Sequence, residues 1–221
     1  MTALVIFALL AVLLLTGMPV SIALGLTVLT FLFTMTTVPL DTVALKLFTG
    51  IEKFEIMAIP FFILAGNFLT HGGVARRMIN FATSMVGHWH GGLGLAGVIA
   101  CALFAAVSGS SPATVVAIGS VILPAMVAQG FPKQFGAGVI TTSGALGILI
   151  PPSIVMVMYS VATSGMQAVG PDGQPVDSAS VGELFMAGVI PGLMLAGFLA
   201  FTTWNRARRF GYPRLPKASF R

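Results

Sequence analysis

Two short runs of hydroxyl and glycine residues interrupt long apolar sequence, and they are where this chain could do chemistry. The first is Ser108-Gly109-Ser110-Ser111-Pro112-Ala113-Thr114, and the second is Thr141-Thr142-Ser143-Gly144-Ala145-Leu146-Gly147. No Asp, Glu, Lys or Arg occurs from Met78 to Pro132 around the first run. A helix that stops and restarts leaves unpaired carbonyls at one end and unpaired N–H groups at the other. The carbonyls can coordinate a cation, and the N–H groups can hold an anion. Ser and Thr hydroxyls add oxygen ligands without adding charge. Pro112 lacks an N–H and suits the first turn of a new helix. Pro151-Pro152-Ser153 follows the second run and forbids an ordinary continuous helix there. Serine, threonine and glycine also serve close helix packing in lipid. One such cluster alone favours that plainer role, whereas two with these prolines favour a binding site. Asn67, in the apolar run Ile56–Thr70, is a third polar group at depth, with an interhelical hydrogen bond as its plainer role.

Other chemistries are poorly supplied. No carboxylate falls inside an apolar run, so general acid–base catalysis lacks its usual groups, and a serine nucleophile has no base at comparable depth. Neither enzymatic activity nor an organic cofactor is expected. Cys101 is the single cysteine, which excludes an intrachain disulfide and a cysteine metal site. His71, His88 and His90 fall at expected helix ends near the interface and make no convincing metal set.

These runs sit in a chain of 221 residues that is 57% hydrophobic and 8% charged, with a mean hydropathy of +1.00. Soluble domains carry about 25% charged residues, so an all-α, multi-pass integral membrane protein is expected. The net charge of +5 does not point to nucleic acid, because the cations form no patch. Most stand in the final residues, at Arg206, Arg208, Arg209, Arg214, Lys217 and Arg221, as in a cytoplasmic anchor. The N-terminal run Ala3–Leu15 lacks a positive leader and turns apolar again after Pro19, so a retained membrane segment is expected.

Five regions follow. Residues 1–90 carry N-terminal spans and interfacial helices. Met1–Pro39 is either two short spans or one long helix broken near Gly17-Met18-Pro19. Leu40–Phe54 has apolar residues at helical spacing with Asp41, Lys46, Glu52 and Lys53 between them, which predicts an amphipathic helix in the interface plane. Val74, Met78, Phe81 and Met85 predict a second such stripe over 74–88. Residues 91–165 hold a hairpin, Gly91–Gly130, and a broken helix, Gln134–Ala162. Residues 166–180 form an acidic loop with Asp172 and Asp177, 181–205 a final span, and 206–221 a basic tail or linker. Arg76, Arg77 and Lys133 flank the hairpin on both sides, which places both its ends on the cytoplasmic face. Each arm has about 17 residues, near the lower limit for a span, which favours a re-entrant hairpin over two full crossings.

Three motifs in order, Pro60-Phe61-Phe62-Ile63-Leu64-Ala65-Gly66-Asn67, Ser108-Gly109-Ser110-Ser111 and Gly147-Ile148-Leu149-Ile150-Pro151-Pro152-Ser153, resemble the large membrane subunit of tripartite ATP-independent periplasmic (TRAP) transporters. The resemblance runs along nearly the whole chain. It implies one of two inverted repeats of an elevator-type fold, in a sodium-driven uptake system of the bacterial inner membrane. Such a system takes C4-dicarboxylates or similar organic anions from a periplasmic binding protein and includes a small membrane subunit. By position, the resemblance assigns sodium as coupling ion to Ser108, Gly109, Ser110, Thr142, Ser143 and Gly144. It assigns the substrate pathway to Asn67, Ser111, Pro112, Thr114, Pro151, Pro152 and Ser153. The charges themselves, an acidic loop without Lys or Arg and a basic tail, make 166–180 periplasmic and 206–221 cytoplasmic. The family's subunit is about twice this length, so a C-terminal half is an implied partner. The other functions the residues leave open are a related anion carrier without a binding protein and a non-transporting membrane scaffold.

Overall fold

The computed structural model describes residues 2–36, 39–164, 168–169, 175–176 and 178–216. Most of the acidic loop 166–180, with both its aspartates, and the last five positions of the basic tail lie outside that description. Helices dominate, and the chain divides into two compact units, Met1–Glu52 and Lys53–Arg221.

In the first unit the open choice at the N-terminus resolves into two helices, α1 (Thr2–Leu15) and α2 (Val20–Met35), which pack on each other. Gly17 turns the chain at φ 80°, a left-handed conformation glycine adopts freely, and Pro19 precedes the new helix. Ala23 and Thr27 are the buried positions of α2, and the Thr27 hydroxyl donates to the Ala23 carbonyl at 2.7 Å. The amphipathic α3 (Leu40–Ile51) follows Pro39 and carries Asp41 in its first turn, where a carboxylate meets the positive end of the helix dipole.

The second unit begins with α4 (Phe54–His71) and α5 (Val74–Val86), followed by a hairpin of α6 (Gly92–Ser108) and α7 (Ser111–Ala128). A broken segment comes next: α8 (Lys133–Gly144), the single turn α9 (Leu146–Leu149) and α10 (Ile154–Thr163), bent by 43°. The last helix is α11 (Val181–Arg209). Among the described residues the only strands are a two-residue antiparallel ribbon, β1 (Ala168–Val169) with β2 (Pro175–Val176). α4, α7 and α11 are long and apolar enough to cross a membrane, and the bent segment is a fourth such element if taken as one span.

α6 is the centre of this unit, in contact with α4, α5, α7, α8, α9 and α11. In lipid, burying apolar surface between helices gains no transfer free energy, so tight van der Waals packing must hold them, and small residues permit it. α6 accordingly buries Gly94, Ala96, Gly97, Ala100 and Cys101 along its length, and Phe104 near its end. A Cβ on Gly97 would stand 3.2 Å from Ile140 Cδ1 on α8. The same demand shapes α5. Its buried residues are Ala75, Ile79 and Ala82, while Phe81 and Met85 of the predicted stripe remain 56% and 52% exposed. Close approach to α6 selects the small side chains and leaves the bulky ones outward.

α11 begins with a capping box: Ser180 and Glu183 satisfy each other's backbone N–H groups. It continues past Trp204 to Arg209, and the following residues turn back onto the hairpin's foot. Gly211 takes φ 64°, the Tyr212 N–H donates to the Ala207 carbonyl at 3.0 Å, and the Leu215 N–H donates to the Gly87 carbonyl at 3.0 Å. Tyr212 lies against Phe131 and Phe135, with ring centroids 5.1 and 5.0 Å away. Residues 210–216 are thus packed chain.

Candidate functional site

The hairpin tip is built from backbone. Gly109 ends α6 at φ 60° and its N–H donates to the Ala105 carbonyl at 2.9 Å. Ser110, extended, caps α7, its Oγ accepting from the Ala113 N–H at 3.4 Å. The Thr114 hydroxyl donates back to the Ser110 carbonyl at 2.8 Å and lies 3.3 Å from Ser108 Oγ. Ser108 and Thr114 are fully buried.

The second break is a mirror of that chemistry. α8 ends at Gly144, α9 makes one turn, Ile150 is extended, and the Pro151–Pro152 bond is cis. Ser153 then caps α10. Its Oγ accepts from the Met156 N–H at 3.5 Å and donates to the Ile148 carbonyl at 2.7 Å.

Backbone contacts join the two breaks. The Ile154 N–H donates to the Gly109 carbonyl at 3.1 Å. Gly147 lies so close to the tip that a Cβ there would stand 2.9 Å from the Ser111 nitrogen and 3.0 Å from the Ser110 carbonyl carbon. Gly144 faces the Val115 side chain with no room for a methyl group. Gly66 of α4 closes another side, where an added Cβ would meet Ser108 Cβ at 3.4 Å.

Ser143 stands at the end of α8, fully buried. Among the described residues its Oγ is the one buried side-chain polar atom without a hydrogen-bond partner. An unsatisfied buried hydroxyl costs about 1–3 kcal/mol. Hydroxyls, helix-end carbonyls and no formal charge suit a small, weakly held cation. They supply no proton donor or acceptor for acid–base work.

Residues 7–221 match the family model described as "Tripartite ATP-independent periplasmic transporter, DctM component". The chain belongs to the DctM family. It is 90% identical over its whole length to a C4-dicarboxylate TRAP transporter large permease protein of Rhodobacter capsulatus, and covers 50% of that protein. A protein of the same description from Pseudomonas aeruginosa is 51% identical over 81% of this chain, which covers 39% of the relative. A third, from Vibrio cholerae, is 46% identical over 96% of the chain, with 44% of the relative covered. The chain spans about half the length of the curated relatives it matches. The family is one of transporter components, these relatives are described as large permease proteins, and three helices of the chain are long and apolar enough to cross a membrane.

In this DctM-family segment the expected residues fall into two groups. Ser108, Gly109, Ser110, Ser111, Thr114, Ser143, Gly144 and Ser153 gather at or beside the joined breaks, with Pro151 and Pro152 in the connecting loop. Thr142 does not join them. It is exposed, its hydroxyl donates to the Gly138 carbonyl at 2.8 Å, and it lines a separate cavity beside α11. Asn67 and Pro112 are exposed. Gly66, beside Asn67, is an α4 residue that lies against the tip. Gly147, Gly66 and the Ile154 backbone were absent from the expected set. Gly147 stood inside the quoted motifs, and Gly66 one position before the asparagine.

Proposed function

We propose that this chain forms the first repeat of the large permease of a sodium-coupled, binding-protein-dependent transporter in the bacterial inner membrane, and that it takes up C4-dicarboxylates. The unpartnered Ser143 hydroxyl at the end of α8, next to the Gly144 that meets Val115 of the hairpin, carries the ion assignment, because a cation there would satisfy a group the protein leaves unsatisfied. The name of the 90% identical relative supports the substrate class. A small membrane subunit, a periplasmic binding protein and the remaining half of the permease complete the machine.

The hairpin is re-entrant in this proposal. The α6 arm of 17 residues reaches about 26 Å at 1.5 Å per residue, while α7 is long and apolar enough to cross, so the support for re-entrance is the tip and not the arm length. That tip is enclosed by α4, α9 and the loop before α10, as irregular backbone at depth requires. Domain motion of the elevator type then carries the site between faces.

The test is uptake of labelled succinate by liposomes containing the full-length permease, its small subunit and the binding protein. An inward sodium gradient drives uptake, and replacing Ser143 and Ser108 with Ala abolishes the sodium dependence. Equal uptake with potassium in place of sodium sinks the coupling assignment.

A further inference from the structure

The second unit has a chemically one-sided end. All six carboxylates of the chain are Asp41, Glu52, Glu55, Asp172, Asp177 and Glu183. None occurs between Glu55 and Asp172 or after Glu183. The end of α11 that carries Arg206, Arg208 and Arg209 lies near the start of α8, where Pro132, Gln134 and Phe135 line a cavity with Arg206, and neither stretch holds an acid. Cations clustered at a membrane surface attract anionic headgroups.

Between α8 and α11 at this end lies a cavity of about 620 Å³. Arg206 and Phe210 line it, with the hydroxyl residues Thr142, Thr202 and Thr203. Leu199 and Val139 form part of its apolar wall. A second cavity of about 410 Å³ shares Thr202, Arg206 and Phe210 and adds Asn205 and Arg209. The Arg206 guanidinium carbon sits 5.7 Å from the centre of the Phe210 ring, which holds the cation at the cavity wall. Beyond these cavities α11 turns apolar and exposed, at Phe198 and Phe201, 62% and 58% accessible. Cation, hydroxyl and hydrocarbon surfaces thus follow one another from the helix end toward the bilayer core.

We propose that this cleft is a binding site for an anionic phospholipid of the cytoplasmic leaflet. The phosphate lies at Arg206 and Arg209, polar groups of the glycerol region meet Thr202 and Asn205, and an acyl chain runs along Leu199 and Phe198. Guanidinium groups suit phosphate through paired donors, and basic pockets between transmembrane helices hold anionic headgroups in this way. A soluble anion gains nothing from the apolar wall. The proposal needs only that α11 spans with its basic end cytoplasmic, and it is independent of sodium coupling.

Native mass spectrometry of the full-length permease tests it, after exchange into micelles doped with phosphatidylglycerol, phosphatidylcholine or inorganic phosphate. Retention of phosphatidylglycerol over phosphatidylcholine is expected, with no competition from inorganic phosphate. Arg206→Gln with Arg209→Gln lowers that retention at least roughly tenfold, since each cation near the headgroup contributes roughly fivefold. Each of the two changes is also made singly, and Arg208→Gln, which likewise removes one charge, is the control for them. Arg208 lies over Trp204 and lines neither cavity, so retention stays unchanged. Thr202→Trp keeps every charge but fills the cleft, and it displaces the lipid. Four outcomes overturn the proposal: equal retention of both lipids, competition by phosphate, an equal loss in Arg208→Gln, and no lipid held because other parts of the permease fill the cleft. Matching thermal midpoints across the variants establish that folding is intact.

Discussion

The backbone N–H of Ile154 donates to the carbonyl of Gly109 at 3.1 Å, and this bond couples the tip of one broken element to the restart of the next. Gly109 holds φ 60°, and a Cβ there would sit 2.7 Å from the Pro152 carbonyl oxygen. Gly109→Ala therefore combines left-handed strain of about 1–2 kcal/mol with a clash that must open the junction. A loss of about 2 kcal/mol or more is expected in detergent-solubilised protein, read as a lowered unfolding midpoint. A midpoint within one degree of the parent would show that the two elements are not coupled there.

Gly147 and Gly66 make a contrasting pair. An alanine at 147 forces its methyl against the Ser110–Ser111 peptide at 2.9–3.0 Å, backbone that cannot swing aside. An alanine at 66 meets Ser108 Cβ at an ordinary 3.4 Å and gains about 0.5–1 kcal/mol of helix propensity. Gly147→Ala is expected to destabilise by about 1–3 kcal/mol, and Gly66→Ala to be neutral or slightly stabilising. Thermal unfolding of the two single variants checks the order, and the reverse order would refute the packing described.

Ser143→Ala separates an ion ligand from a packing residue. Removing a buried, unpaired hydroxyl relieves its desolvation, so the variant is expected to be more stable than the parent by about 1 kcal/mol in sodium-free buffer. Added sodium is expected to raise the parent's unfolding midpoint and to leave the variant's unchanged. An undiminished sodium shift in the variant would remove Ser143 from the site.

The foot of the hairpin responds to pH through His90. Partial desolvation, then Arg214 and Arg208, hold its pKa below the ordinary 6.5, and Arg214 is also its hydrogen-bond partner. The unfolded chain accordingly takes up the proton more readily than the fold does. The contact's contribution is complete above pH 6.5 and is lost as pH falls through the lowered value. Hydrogen exchange over residues 210–216, corrected for intrinsic rates, is expected to speed up as pH falls below the ordinary 6.5. Arg214→Gln flattens that dependence. A profile identical in parent and variant would exclude the pair as its source.

The hairpin turn and both helix breaks were legible because Gly or Pro residues stand together with capping serines at Ser108–Pro112 and Pro151–Ser153, whereas the lone Pro60, Pro124 and Pro191 stay inside helices. The amphipathic period of α5 was legible too, but not the face it buries. Val74, Met78, Phe81 and Met85 make the more apolar stripe, yet in lipid the contact goes to Ala75 and Ala82 because closeness outweighs hydrophobicity. Thr142 and Ser143 were indistinguishable as letters. Only the helix phase separates them, turning Thr142 outward and Ser143 inward. The return of Tyr212 and Leu215 depended on partners at Phe131 and Gly87, too far along the chain for any local pattern to signal.

The hairpin and the broken helix contain no Asp, Glu, Lys or Arg between Met78 and Gly170 except Lys133. Moving one elementary charge across 100 mV of membrane potential takes about 2.3 kcal/mol. In the domain motion proposed above, elements built this way would change depth in that field with almost no electrical work of their own. Any current would then count cargo: its sign and size would report the ions and substrate of the proposed cycle, with little fixed charge of the protein to subtract.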